Sequence, residues 1–358
     1  MVSTCHSDVL AAADSRWVEA LTRVRHDVYH TAAYHGLGGL GREGEAFVFL
    51  HQEGDDVFLW PYLLTPTAAG ASDVTSVYGY AGPVARGDEE FVGRAWRNLL
   101  EAWRGQRVVS AFTRFHPLLE NRELARGLVD GYGQAVDEGV RLHGPTVSMD
   151  LRPSLDEQFR KYHKNLRNEI RRAKEAGLAT TEDGDWEHVD EFVRLYQDSM
   201  TRLNSRRDYL VDADWVREFR RVLGKQAYLF VTKVNGVVAA AMLVMGHAPF
   251  LHAHLVGSNP DLVAQSPTKA LLDGVRIWAT ERGFETFHLG GGVGGREDSL
   301  YQSKRKFSPL THEFYTGSWI LDGEQYRDLA ASHRRKLLGR GIDLGDPGFF
   351  PIYRYEPE

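Results

Sequence analysis

Twenty residues from His288 to Phe307, HLGGGVGGREDSLYQSKRKF, hold two candidate chemistries side by side. Gly290, Gly292 and Gly295 fit G-x-G-x-x-G after an apolar run, the pattern of a loop whose backbone N–H groups cradle phosphate. Asp298 and Ser299 then stand where a helix would be capped, and Tyr301, Lys304 and Phe307 are spaced to lie near one another on that helix. A dinucleotide site needs its glycines on the first strand-to-helix turn of a repeated parallel unit. Here they come near residue 290 of 358, after a hairpin meander, and only a short helix and one or two strands follow. The glycines therefore read as a tight, close-packed turn, and Lys304, taken alone, reads as a solvated helical lysine.

Three histidines lie nearby in the pattern. His252 and His254 alternate to one face of FLHAHLVGS, and His288 falls on FETFHLG. A histidine of near-neutral pKa there could serve as a general base; a hydrogen-bonded core histidine is the other reading. A basic face runs along one helix through Arg160, Lys164, Arg167, Arg171 and Lys174, at i, i+4, i+7, i+11 and i+14. It reads either as a phosphate-binding track or as a solvated face with pairs such as Arg171 with Glu175. The formal net charge of −6 argues against a broad nucleic-acid-binding surface and leaves room for such a local patch. One cysteine, Cys5, excludes an internal disulfide framework and a multi-cysteine zinc site, so no metal is expected and a reducing cytoplasm fits best. Neither a signal peptide nor a run of 18 apolar residues is present, so no membrane span is expected.

The elements that must position these residues fall into two units of an α+β chain. In the first, Asp14 caps a helix bearing Trp17, Leu21 and Val24. AFVFLHQEGDDVFLWPYLL gives two strands joined by a Gly-Asp turn, and VTSVYGYAGPV an aromatic strand ending at Gly82-Pro83. A helix around FVGRAWRNLLEAW then leads to the strand RVVSAFTRF, and the unit closes near Asp150. The second unit, 151–325, opens at Ser154 and Glu157, which have capping-box spacing. One helix follows, with Leu155, Phe159, Tyr162, Leu166, Ile170 and Ala173 on its apolar stripe and Gly177 as its stop. Asp185 is expected to cap the next helix, which carries Trp186 to Leu203, and a shorter one spans Ala213 to Leu223. AYLFVTKV and VVAAAMLVM flank Asn235-Gly236, a hairpin signal, FLHAHLVGS adds a third strand, Ser266-Pro267 starts a helix through Trp278, and FETFHLG returns as a strand. A C-terminal helix and tail occupy 326–358.

On these residues a family resemblance rests. HLGGGVGGREDSLYQSKRKF is similar to the Fem-type aminoacyltransferases of the acetyltransferase (GNAT) superfamily, in which a strand ending in glycines leads to D-S-L-x-x-F-K. YHKNLRNEIRRAKEAG resembles their R-x-x-I-R-x-A-x-x-x-G helix, LYQDSMTRLNS the segment after it, and HAHLVGSNP their aromatic-x-aromatic strand. The likeness covers 151–317 well and 14–150 more faintly, through YGYAGPV and FTRFHPLLEN. It implies tandem GNAT-like domains, each a mixed, mostly antiparallel sheet flanked by helices, with the site in the cleft between them.

The resemblance further implies attack by a substrate amine on the ester of an aminoacyl-tRNA, forming an amide without ATP or cofactor. Lys304 holds the position of the family's motif lysine near the reaction centre, and Arg202 that of an arginine binding an acceptor phosphate or carboxylate. Asp298, Ser299, Tyr301, Gly291, Gly292, Tyr209 and Arg114 are further candidate substrate contacts, and His254 a candidate base. Lys164, Arg167 and Arg171 are candidate contacts to the tRNA acceptor end, limited in extent because the family's coiled-coil insertion is not evident. The acceptor is a peptidoglycan precursor or a small peptide or amine in antibiotic biosynthesis. Departures from the pattern are Ser303 in place of the Phe before the lysine, His254 where an aromatic often stands, and Arg86 rather than an acidic residue after Gly82-Pro83. An acyl-CoA donor is the alternative, although VAQSPTKALLDG lacks the glycine turn that holds CoA pyrophosphate and would have to use Lys269 and the helix N-terminus. A non-catalytic binding protein is a third class, opposed by the joint presence of Asp298, Ser299 and Lys304.

Overall fold

The computed structural model describes residues 5–37, 44–68, 70–125, 139–202, 210–345 and 347–357. The chain divides into two compact units, one of residues up to 142 together with those from 314 on, the other of residues 143–313. The first unit contains β1 (Cys5–Ala11), α1 (Ser15–Leu21), α2 (Ala32–Gly36), β2 (Glu45–Glu53), β3 (Asp56–Pro66), β4 (Ser72–Thr75), β5 (Val84–Arg86), α3 (Glu89–Gly105) and β6 (Val108–Arg114). β1, β2, β3 and β4 pair antiparallel in turn, β5 joins β3, and β4 pairs with β6 in parallel across the connection that holds α3.

The second unit contains β7 (Val140–Asp150), α4 (Leu155–Arg160), α5 (Lys164–Glu175), β8 (Ala179–Glu182), α6 (Val189–Arg202) and α7 (Ala213–Leu223). It continues with β9 (Ala227–Val234), β10 (Val237–His247), β11 (Phe250–Ser258), α8 (Pro267–Glu281), β12 (Thr286–Gly291) and α9 (Ser299–Arg305). β8, β9, β10 and β11 pair antiparallel, β11 pairs with β12 in parallel across α8, and β12 pairs with β7 antiparallel. The chain then runs through β13 (Thr311–Ile320) back into the first unit, where Thr316–Ile320 pair with β6, and ends with α10 (Gly323–Leu338) and a terminal segment. Both units thus repeat one plan: an antiparallel meander, a helix, and a strand added in parallel to the last strand of the meander.

Local sequence accounts for most of these elements. Asn235 and Gly236 both adopt positive φ (49° and 77°), which closes the β9–β10 hairpin with the twist its strands need. Asp88 accepts from the Phe91 N–H and starts α3, whose Phe91, Ala95, Trp96, Leu99 and Trp103 are buried. Trp60 meets Trp96 and Trp103 with ring centroids 5.1 and 5.3 Å apart, and Trp319 completes the cluster at 6.0 Å. Such aromatic contacts add about 0.5–1.5 kcal/mol each beyond area burial.

Several expectations are corrected. The helix expected from Leu155 onward is two helices, because His163 leaves helical geometry and its ring nitrogen caps α5 by accepting from the Asn165 N–H. α6 begins only at Val189, after a turn in which Asp183 accepts from the N–H groups of Glu187 and His188 and Trp186 takes φ 62°, so it does not start from Asp185 as expected. The strand expected over VTSVYGYAGPV stops at Thr75, since Gly79 and Gly82 take φ of 108° and 81°. Residues from 314 on belong with the first unit because buried Asp73 accepts hydrogen bonds from Ser110 Oγ (2.8 Å), Tyr353 OH (2.6 Å) and Arg354 Nε (2.6 Å). Among the described residues, no helix is long and apolar enough to cross a membrane.

Candidate active site

The glycine loop is built by close approach of backbones. Gly290 (φ 74°) and Gly295 (φ 75°) sit in the left-handed region, and a Cβ on Gly144 or Gly295 would overlap the main chain of the other segment, His143–Gly144 against Gly295. The Val293 N–H donates to Asp298 Oδ2 and the Tyr301 N–H to Asp298 Oδ1, each at 3.0 Å. One carboxylate therefore closes the loop and caps α9 together, and these bonds hold its pKa below the usual aspartate range. The amide at Val293 is thus committed to Asp298 rather than presented to a phosphate. A Cβ on Gly292 would overlap the Arg296 carbonyl and the Asp298 carboxylate. Gly292→Ala is expected to cost about 1–3 kcal/mol through overpacking and to lower activity with it, measured as a fall in urea midpoint alongside turnover.

Lys304 is the loop's product. It projects from the last turn of α9 and its Nζ donates to the Gly291 carbonyl at the end of β12, 2.6 Å away. Burial pushes its pKa down to about 8, against the opposing pull of the Asp298 carboxylate. Gly291, Gly292, Asp298 and Lys304 thus form one contiguous group, with Ser299 exposed beside it on the first turn of the helix. Tyr301 is different. It is buried in the core cluster with Leu289 and Phe307, so its ring seats α9, while Phe307 packs edge-on against Tyr162 at 5.1 Å.

The parallel pairing of β11 and β12 covers Phe250–His252 with Thr286–His288 and ends there. Beyond it β11 pairs with β10 and β12 with β7, so the sheet opens between them. The buried rings of His252 and His288 meet at the apex of this opening, Nδ1 to Nδ1 at 3.3 Å. His254 does not join them. A bulge leaves it opposite the step between Leu243 and Val244, and its ring stacks on Phe219 at 5.5 Å and on Trp215 at 6.4 Å. Burial and neighbouring His252 push its pKa down to about 3, which makes it a weak proton acceptor at neutral pH. On the far end of β11, Arg202 donates to Ser199 Oγ (3.0 Å) and to the Ser258 carbonyl (3.2 Å). Gly257 makes this possible, because a side chain there would strike the backbone of α6 at Leu195–Tyr196.

The basic face is less uniform than its spacing. Arg167 donates to the carbonyls of Arg160 and Tyr162 and so bridges the break between α4 and α5. Lys174 pairs with Asp273 at 2.8 Å. Arg171 lies over the Phe159 ring and donates to Asn168, not to Glu175, and Lys164 is exposed. Arg114, in the first unit, lies with its guanidinium over Phe112. Tyr209 falls outside the described residues.

Sequence reasoning missed the buried group that anchors α4 and α5 to α8. Asp273 accepts from Arg276, from Tyr162 OH and from Lys174, and Arg276 also donates to Gln158 Oε1 at 2.9 Å. Its only sequence signal is an Asp and an Arg at i and i+3 within the apolar stretch KALLDGVRIWA.

Residues 160–301 match the acetyltransferase (GNAT) domain family. Among solved structures the chain is similar to FemX, with a TM-score of 0.67 and 11% identity over 89% of this chain and 99% of that one. It is also similar to the C-terminal domain of a putative lysylphosphatidylglycerol synthetase from Agrobacterium fabrum, with a TM-score of 0.55 and 18% identity over 90% and 97% of the two chains. At these identities the likeness is one of fold. No curated protein matches the sequence.

Proposed function

We propose that this chain, Fem-like in fold and carrying a GNAT acyltransferase domain, moves an aminoacyl group from aminoacyl-tRNA to an amine acceptor. The observation that carries the reading is Lys304, an ammonium held in a low-dielectric position at the end of β12 by Gly291 and by an Asp298-capped helix. The acceptor nitrogen attacks the ester carbonyl carbon. The carbonyl oxygen becomes an oxyanion, which the Lys304 ammonium stabilises. Collapse breaks the bond to the ribose oxygen, which leaves with the proton given up by the attacking amine, and an amide remains. The ester is already activated, so no ATP is needed, and with His254 a weak base the departing oxygen is the natural proton acceptor.

The acceptor is a peptidoglycan precursor or a small peptide or amine of secondary metabolism, and Arg202 is the residue we assign to its phosphate or carboxylate. For the tRNA end, Lys164 and Arg171 remain available on α5, whereas Arg167 is committed to the α4–α5 break. Replacing Lys164 and Arg171 together by alanine is expected to weaken binding of charged tRNA evenly across tRNA species. The slope of log K against log salt should fall by about 0.7 per lost contact. An unchanged slope returns the helix to a solvated face.

Acyl-CoA is the competing donor. Support for the tRNA ester over it comes from the start of α8, where Ser266 and Pro267 replace a glycine turn and Lys269 is paired with Glu169. The deciding experiment is label transfer from a mixed pool of aminoacyl-tRNAs, in parallel with acetyl-CoA, into a panel of cell-wall precursors, peptides and amines. Ribonuclease-sensitive transfer is expected. Transfer from acetyl-CoA alone would replace this donor, and binding without turnover would leave a non-catalytic protein.

A further inference from the structure

A second chemically equipped cluster lies in the first unit, on β1 and β2. β1 and β2 pair with Cys5 opposite Glu53 and Ser7 opposite His51. Because side chains alternate along a strand, all four project from the same face. His51 Nε2 lies 3.0 Å from Glu53 Oε1, the Cys5 Sγ lies 3.8 Å from the same oxygen, and the three donor atoms all fall within 4.8 Å of one another.

These separations come near those of a coordination shell. Tetrahedral zinc bonds of about 2.3 Å to sulfur and about 2.0–2.2 Å to nitrogen and oxygen put neighbouring ligand atoms about 3.4–3.6 Å apart. The His51–Glu53 and Cys5–Glu53 separations, 3.0 and 3.8 Å, lie within about half an ångström of those distances, and the third pair is within 4.8 Å. Neighbouring groups already fix His51 and Glu53. The His51 ring stacks on Phe91 with centroids 5.2 Å apart, and its Nδ1 lies 2.7 Å from Ser7 Oγ, which accepts from Asn98 Nδ2 at 3.1 Å. Glu53 is held through both oxygens by Arg94, Nη2 to Oε2 at 2.7 Å and Nε to Oε1 at 2.9 Å. A metal-bound histidine commonly has its second ring nitrogen engaged in this way, and a ligating carboxylate is itself hydrogen-bonded.

We propose that Cys5, His51 and Glu53 form a binding site for a divalent cation of the Zn2+ type, with its fourth position facing solvent beside the exposed Cys5. On binding, the Cys5 thiol gives up its proton to solvent and the thiolate takes up the metal. His51 presents the Nε2 lone pair, with its proton on Nδ1 facing Ser7 Oγ. Thiolate and carboxylate together balance the two positive charges, so Arg94 faces a neutral centre and keeps its bond to Oε2. The same residues fit a nucleophilic thiol less well. That chemistry calls for a bond from sulfur to the base, whereas here the sulfur faces Glu53 and the two ring nitrogens face Glu53 and Ser7.

The test is Co2+ titration of the full chain, kept reduced with a non-chelating phosphine. One equivalent is expected to give thiolate-to-cobalt charge-transfer absorption and the visible bands of tetrahedral cobalt, both erased by Zn2+. Cys5→Ser, an exposed change that leaves the fold intact, should abolish the charge-transfer band. Glu53→Gln and His51→Gln should each raise the Kd by tenfold or more, the loss seen even when outer partners of metal ligands are removed. His51 is buried, so if its variant unfolds the half-exposed Glu53→Gln carries the decision alone. No band in the wild-type chain overturns the site. A band of unchanged affinity in Glu53→Gln does so too, since it would report an isolated thiol.

Discussion

Lys304→Ala is expected to lower turnover by about 10²–10³-fold, the loss that follows removal of one group aimed at a developing oxyanion, while thermal unfolding stays close to wild type. The side chain is half-buried and makes one hydrogen bond, to the Gly291 carbonyl, so its removal leaves the α9 cap and the Tyr301 and Phe307 anchors in place. The pH profile gives a second reading of the same residue. With a pKa lowered by burial from 10.5 to about 8, the ammonium is present below about pH 8 and lost above it. A rate that depends on this cation should therefore turn down above pH 8, and Lys304→Arg, which keeps its charge, should remove that descending limb. Stability moves the other way. Between about pH 8 and 10.5 the unfolded chain holds this proton and the folded chain does not, so this group makes the fold more stable as pH rises through that window. Wild-type rates in Lys304→Ala would take the residue out of the mechanism.

The largest effect on stability is expected at Asp273. Asp273→Ala leaves Arg276, whose side chain is 3% exposed, without its carboxylate and strips Tyr162 and Lys174 of a shared acceptor. Breaking a buried ion pair from one side costs about 3–5 kcal/mol, because the surviving charge stays desolvated. The urea midpoint of the second unit should fall accordingly. Lys174→Ala is the internal comparison. Its side chain is 51% exposed, so solvent already screens the pair and the loss should stay below about 1 kcal/mol. Equal losses in the two variants would mean that Asp273 is held by water rather than by the core, and the anchoring of α4 and α5 to α8 would need another explanation.

Much of the site was legible before any fold was known. Asp298 three residues ahead of Tyr301 fixes the start of α9, and the i, i+3 spacing of Tyr301 and Lys304 sets their positions along it, because caps and helical periodicity are local rules, whereas Phe307 falls past the C-cap Lys306. The Asn235-Gly236 hairpin was equally local. What the glycines do was not. Only the packing of Gly295 on His143 and Gly144, and the bond from Val293 to Asp298, show that the loop spends its freedom on backbone contact rather than on phosphate.

His254 shows the same limit. Strand alternation aligned it with His252, and a bulge moved it onto Phe219 and Trp215, a shift set by its partner strand. Likewise the even basic stripe of Arg160 to Lys174 divides into committed and available cations only once Asp273 and the carbonyls at the α4–α5 break are in place. The sequence determined the elements, their caps and the lysine on offer, since those depend on neighbours along the chain. The tertiary structure decided which charges are buried, which are paired and which face solvent, since those depend on packing between elements that are separate in the chain, as Lys174 and Asp273 are.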